Sequence, residues 1–219
     1  MKITTEQVEK YIEGLYKPPT EALAKLRTEA EKERIPIILK STEMFLCSMI
    51  DIKKPKKILE IGTAVGYSTA CFAEKEKNCK IVSIELDEEK YNRAAKNIDE
   101  MKLSKRVTIL HGDAEDVIRS QLQAHRFDFV FIDAAKSHYK RFFDAAVEVC
   151  TDEAVIISDN VLLKGDTAVS EIDPKSRHKT NIKKMQEYIA YISSLTYAST
   201  SIVPIGDGIA ITILKNKDL

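Results

Sequence analysis

The sequence predicts an α/β fold: a doubly wound, mostly parallel, seven-stranded sheet closed by a C-terminal antiparallel hairpin and preceded by helices. Three observations carry this expectation. From Lys57 onward, short β-rich runs alternate with helical patterns, the signature of right-handed βαβ units with helices on both faces of a parallel sheet. The last two strand-like runs have only PIGDG between them, too short for a parallel crossover, so one strand near the sheet edge must run antiparallel. The 219 residues fit one domain, because single cores stop growing only at about 250 to 300 residues.

The elements follow in order. TTEQVEKYIEGLY, PTEALAKLRTEAEKER and PIILKSTEMFLCSMI are helical in pattern, and Pro18, Pro19 and Pro36 mark boundaries between helices rather than a linker between domains. Residues 1–55 are therefore expected to form a helical cap on a Rossmann-like core, 56–219, within one domain of residues 1–219. In that core KKILEIG leads to the helical YSTACFAEK, CKIVSIEL to DEEKYNRAAKNIDEM, RVTILHG to DAEDVIRSQLQ, and FDFVFID to KSHYKRFFDAAVEVC. EAVIISDN then enters LLKGDTAVSEIDPKSRHK, residues 162–179, the one long irregular connection and so a candidate functional loop. The helical TNIKKMQEYIAYISSL and the strands TYASTSIVPI and GIAITILK complete the chain.

Composition narrows the function classes. Apolar residues make up 44% and charged residues 31%, an ordinary globular balance. Lys+Arg and Asp+Glu number 34 each, so no global basic field points to nucleic acid, and any such partner would need a local patch. Cys47, Cys71, Cys79 and Cys150 show no CxxC spacing and read as free thiols of a reducing compartment rather than a zinc site. His111, His125, His138 and His178 are scattered without ligand spacing. The polar N-terminus and the lack of any 18-residue apolar window predict no membrane association and a cytoplasmic location.

The chemistry gathers at strand ends. After the first strand, Glu60-Ile-Gly62-Thr-Ala-Val-Gly66-Tyr-Ser68 supplies a turn in which glycines at 62 and 66 allow a ligand to approach the backbone. The spacing matches neither the dinucleotide fingerprint nor the phosphate-binding loop with its lysine. The second strand ends on Glu85, about 20 residues further on, where a carboxylate accepts hydrogen bonds from ribose hydroxyls. Asp113, after the third strand, is placed to cap a helix, to receive an adenine amine, or both. The fourth strand ends on Asp133 and the fifth on Asp159 and Asn160, two carboxylates and an amide oxygen on neighbouring strands. That all-oxygen set suits Mg²⁺ or a similar divalent cation with positions left open for substrate. Lys136, three residues past Asp133, is placed to act as a base.

ILEIGTAVGYS, IVSIEL, HGDA, FIDAAK, IISDN and the hairpin PIGDGIAITIL together resemble the metal-dependent class I S-adenosylmethionine O-methyltransferases of the catechol and caffeoyl-CoA type, over essentially the whole chain. Within that group PIILKSTEMFL and KSHYKRFF look most like bacterial tRNA 5-hydroxyuridine methyltransferases. The resemblance implies a methyl donor contacted by Ile38, Ser68, Glu85, Asp113, Ala114 and Asp133, beside the turn at Gly62, with Glu85 on the ribose, Asp113 and Ala114 at the adenine, Ser68 and Asp133 at the amino-acid end, and Ile38 closing over it from a helix. It also implies Mg²⁺ on Asp133, Asp159 and Asn160, with Lys136 as catalytic base.

The expected reaction is conversion of wobble 5-hydroxyuridine in the tRNA anticodon loop to 5-methoxyuridine. Lys136, Lys140, Arg141, Lys164, Lys175, Arg177, His178 and Lys179 would supply the phosphate-binding patch, and Tyr139 and His138 a stacking platform, although Asp166, Glu171 and Asp173 dilute the charge. The alternative acceptor is a small catechol-type or caffeoyl-CoA-like phenol, walled by Tyr67, Tyr139 and Phe142. A non-catalytic donor-binding protein would lack a ligand or the base, and none is missing. The N-terminal helices exceed what donor closure needs and are expected to serve a homodimer interface.

Overall fold

A computed structural model describes residues 5–169, 171–172 and 177–215. Three helices come first: α1 (Glu6–Gly14), α2 (Glu21–Lys32) and α3 (Lys40–Lys53). The alternating core follows as β1 (Lys57–Ile61), α4 (Tyr67–Lys75), β2 (Lys80–Glu85), α5 (Glu88–Glu100), β3 (Val107–His111), α6 (Ala114–Gln121), β4 (Phe127–Ile132), α7 (Tyr139–Glu148) and β5 (Cys150–Ser158). Helix α8 (Lys179–Ser194) and the strands β6 (Ala198–Val203) and β7 (Ile209–Leu214) end the described chain. Side-chain oxygens start the helices that the sequence marked: Thr20, Asp87 and Asp113 each accept a backbone N–H from the first turn of α2, α5 and α6.

The sheet order is β3-β2-β1-β4-β5-β7-β6, with β7 antiparallel to both β5 and β6. The antiparallel strand is therefore second from the edge, inserted between β5 and β6 by the short PIGDG turn. From β1 the chain winds outward through β2 to β3, then returns to the other side of β1 with β4 and β5. The two halves part between β1 and β4, and a crevice opens there at the C-terminal ends of the strands.

Both faces of the sheet are buried, as continuous apolar strands require. In β4, Val130 and Ile132 pack toward α6, α7 and α8, whereas Phe129 and Phe131 pack toward α3 and α4. Phe131 meets Phe72 of α4 edge to face at 5.4 Å. All four cysteines are free thiols; Cys47 of α3 is half-buried and lies 3.6 Å, sulfur to sulfur, from buried Cys71 of α4.

Two local expectations are corrected. Ile38 lies in an extended strap, residues 35–39, ahead of α3, not in a helix. Pro36 biases the residue before it to extended backbone, and Leu39, itself extended, is the N-cap of α3. Lys136 sits in a 3-10 turn, Lys136–His138, before α7 rather than inside that helix, because Ala135 is still extended.

Candidate active site

The crevice is a cavity of about 1100 Å³, at the upper end of the range for small-molecule sites. Its wall includes the ten residues expected to hold donor, cation and base, namely Ile38, Gly62, Ser68, Glu85, Asp113, Ala114, Asp133, Lys136, Asp159 and Asn160, but not Gly66 of the glycine turn. Parallel strands make this convergence, since every strand from β1 to β5 ends on the same edge.

The first βα turn approaches β4 very closely. Gly62 has φ +98°, and a Cβ there would collide with the backbone carbonyl oxygen of Asp133. Beneath the turn, Glu60 is fully buried and accepts hydrogen bonds from Ser68 Oγ at 2.5 Å, Ser83 Oγ at 2.6 Å and Thr69 Oγ1. Ser68 thus spends its proton on Glu60, and only its lone pairs remain for a ligand in the cleft. Glu85 braces the turn from β2: one carboxylate oxygen accepts Ala64 N at 2.7 Å and the other Asp87 N at 3.0 Å.

Burial pushes the Glu60 carboxyl up from 4.5 to about 7; the three hydroxyl donors oppose the rise and the charge of Asp133 adds to it. An acid whose folded pKa is raised binds its proton more tightly folded than unfolded, so its contribution is largest below pH ~4.5 and lost as pH rises to about 7. The loss is on the order of 3 kcal/mol. Glu60→Gln removes this titration. The Tm of the variant relative to the unchanged protein is expected to rise by on the order of 5 °C or more between pH 5 and pH 7.5, measured by circular dichroism. A constant difference would mean that Glu60 does not titrate in this window.

Of the two roles left open for Asp113, the structure shows the helix cap, through Glu115 N at 3.0 Å, and places the residue in the cleft wall. Arg141 of α7 grips it with two hydrogen bonds, at 2.9 and 2.6 Å, and holds its carboxyl below the usual carboxylate range. The same guanidinium lies 4.7 Å from the Phe142 ring centre. Lys140 pairs with Asp144 at 2.7 Å. Two members of the expected basic patch are therefore held by neighbouring carboxylates, while Lys175 and Asp173 lie outside the described residues.

Tyr139 also corrects the reading. It is buried and is not among the residues that line the cleft, so it neither stacks on a base nor walls a phenol there. Its hydroxyl donates to the Asp159 carbonyl at 2.8 Å and accepts from Lys136 Nζ at 2.9 Å, bracing the lysine from below. Tyr67 and Phe142, by contrast, do line the cleft, although each is mostly buried.

Lys136 Nζ donates to Asp133 Oδ1 at 2.8 Å and to Asn160 Oδ1 at 2.5 Å, so both oxygens converge on one point. Asn160 reaches it from a left-handed backbone, φ +58°, which asparagine tolerates better than most residues. Beside them Asp159 is 2% exposed and accepts its neighbour's backbone N–H at 2.7 Å. Burial, reinforced by the charge of Asp133, pushes its carboxyl up to about 8. A buried carboxylate raised in this way marks a place short of positive charge, and two carboxylates with an amide oxygen are donors that a hard divalent cation satisfies. Among the described residues no three His, Cys, Asp or Glu side chains form a metal cluster.

A sequence reading missed one buried hub. Arg27, on a charged helix, looks like a solvent-facing residue, yet it is buried and pairs with Glu43 at 2.6 Å. Nothing in the helical pattern around it signals partners 11 to 40 residues away.

Comparison with known proteins agrees with this geometry. A family model described as O-methyltransferase matches residues 16–215. A catechol O-methyltransferase of Niastella koreensis is 30% identical over 220 residues, covering 96% of this chain and 97% of its own length. A caffeoyl-CoA O-methyltransferase of Stellaria longipes is 26% identical over 94% of this chain and 90% of its own. Among solved structures, an O-methyltransferase from Bacillus cereus in complex with SAH superposes with a TM-score of 0.82 at 26% identity, covering 95% of this chain and 97% of that one. The family match spans the cap strap, the glycine turn and the Asp133, Lys136, Asp159 and Asn160 cluster alike, and the chain belongs to the O-methyltransferase family.

Proposed function

We propose that this protein transfers the methyl group of S-adenosylmethionine to one hydroxyl of a small catechol-type phenol, with Mg²⁺ or a similar divalent cation. The observation that carries this reading is the convergence of Asp133 and Asn160 on the Lys136 amine, beside buried Asp159, in a cleft large enough for two ligands. In this reading Glu85 holds the donor's ribose hydroxyls, Asp113 with Ala114 faces the adenine, and the Ser68 lone pairs accept from the donor's α-ammonium. Gly62 leaves room for the donor against β4, and Ile38 covers it from the strap. Asp133, Asp159 and Asn160 would hold the cation, which supplies Lewis acidity that favours the ionised acceptor hydroxyl. Lys136, acting as the neutral amine, takes that hydroxyl's proton on its nitrogen lone pair. The acceptor oxygen's electron pair forms the new O–C bond as the C–S bond breaks, its electrons passing to sulfur. The cleft contributes by holding oxygen and methyl in line and by excluding bulk water.

The tRNA acceptor rests on the motif resemblance and on His138, which lines the cleft next to Lys136. Buried Tyr139 and the paired Lys140 and Arg141 take away three of the contacts it was expected to use, whereas Phe142, one of the residues expected to wall a small phenol, does line the cleft. The N-terminal helices are proposed to serve a homodimer: α1 buries none of its residues and exposes Val8 and Tyr11, with Leu15 just beyond its end. Among the described residues no helix is long and apolar enough to cross a membrane.

The test is methyl transfer from S-adenosylmethionine with Mg²⁺, offering catechol and tRNA bearing 5-hydroxyuridine in parallel and reading products by mass spectrometry. O-methylated catechol that disappears on chelation supports the reading. Conversion of the tRNA with untouched catechol replaces the acceptor while keeping donor, cation and base. Methylation unaffected by chelation removes the cation from the scheme.

A further inference from the structure

The strap that roofs the cleft is held by a residue that does not line it. Ile38 is buried against the helices, and its carbonyl accepts a hydrogen bond from Arg27 Nη2 at 3.0 Å. Among the described residues this is the hydrogen bond that fixes the backbone of residues 36–38. The same Nη2 donates to Glu43 Oε2 on α3 at 2.6 Å, and Arg27 Nε donates to the Tyr67 hydroxyl on α4 at 3.0 Å. Tyr67 in turn donates to Glu43 Oε2 at 2.7 Å. The guanidinium lies 4.5 Å from the Tyr67 ring centre and 5.3 Å from that of Tyr16. One side chain, 7% exposed, thus joins α2, the strap, α3 and α4. Two of the residues it holds, Ile38 and Tyr67, face the cleft directly.

We propose that Arg27 is a positioning residue for the methyl donor: its planar fork locks the strap and the first turn of α4 in the donor-binding arrangement without touching donor or acceptor. The proposal rests on the donor reading given above. The fork is what matters. Lysine at this position supplies a charge for Glu43, but a single ammonium cannot reach the strap carbonyl, the Glu43 carboxylate and the Tyr67 hydroxyl in the geometry that five coplanar donors allow. A released strap has to be ordered again each time the donor binds, and that ordering is subtracted from donor affinity. Asp133, Lys136, Asp159 and Asn160, which follow β4 and β5, and Phe142 on α7 are left as they were.

The experiment measures S-adenosylmethionine and S-adenosylhomocysteine binding by calorimetry on the full-length protein and on Arg27→Lys, followed by steady-state kinetics with catechol. Arg27→Lys is expected to weaken donor binding about tenfold, while kcat at saturating donor and the acceptor KM stay within about twofold. In Arg27→Ala, millimolar ethylguanidinium is expected to restore donor affinity where ethylammonium does not. If Arg27→Ala fails to fold, the lysine variant decides alone. Donor affinity unchanged in Arg27→Lys overturns the proposal. So does a kcat at saturating donor that falls with donor affinity unchanged, because that pattern reports lost folded enzyme. If the unsubstituted protein binds neither donor nor product, the donor reading itself falls and takes this proposal with it; absence of catechol turnover alone leaves the binding comparison intact.

Discussion

Lys136→Met is expected to lower kcat by about 10²- to 10⁴-fold, the usual contribution of a positioned general base, with donor affinity nearly unchanged. The lysine reaches the reacting region from a 3-10 turn and is held by Asp133, Asn160 and the Tyr139 hydroxyl, at 2.8, 2.5 and 2.9 Å. Methionine keeps the length of the stem, with sulfur in place of one methylene, and removes the nitrogen. Asp133 then loses one cation partner, but its side chain is 28% exposed, so solvent screens much of the change and the fold should survive. Lys136→Arg separates base from electrostatic roles: arginine keeps the charge and the hydrogen bonds but does not give up a proton. Both variants should therefore be slow. Measurement is single-turnover methyl transfer at saturating donor, alongside calorimetric donor binding. A fully active Lys136→Arg would show that the charge, not proton removal, is what the site uses.

Gly62→Ala carries the largest expected cost to the fold. Gly62 has φ +98°, a region that L side chains rarely adopt, and the added Cβ would run into the Asp133 backbone carbonyl, with Ala134 Cα 3.3 Å away. Neither obstacle is a flexible side chain. Asp133 N is itself hydrogen-bonded to the Ile61 carbonyl at 2.9 Å, so β4 cannot retreat from β1 without breaking their ladder. Backbone strain and overpacking together are worth about 2 to 5 kcal/mol. A drop in Tm on the order of 10 °C follows. Activity should fall further than stability alone explains, because the displaced residue is the one that contacts Lys136. Gly66→Ala is the control: φ there is also positive, at +81°, but the new Cβ comes no nearer than 3.4 Å to any of the Ala94 atoms it would meet. Gly66→Ala should lose less than Gly62→Ala in thermal denaturation. Equal losses would mean that backbone conformation alone, and not the approach of β4, sets the requirement for glycine at 62.

The sequence by itself determined the sheet, its antiparallel insertion and the edge on which the chemistry sits. Alternating strand and helix patterns leave a parallel sheet as the way to bury continuous apolar strands, and a parallel sheet sends Gly62, Glu85, Asp113, Asp133 and Asp159 to the same edge. The resemblance of the strand-end motifs to known enzymes sorted those residues into donor and cation groups. Only the tertiary structure decided what each side chain is bonded to. Ser68 is spent on Glu60, Asp113 is gripped by Arg141, Tyr139 is a buried strut rather than a platform, and Ile38 hangs on a strap tied by Arg27. These pairings join residues 8 to 28 positions apart, between elements whose local patterns carry no record of each other. Periodicity encodes which face of an element is buried. The partner met on that face depends on how helices of different elements cross, and that is settled only when the chain has folded.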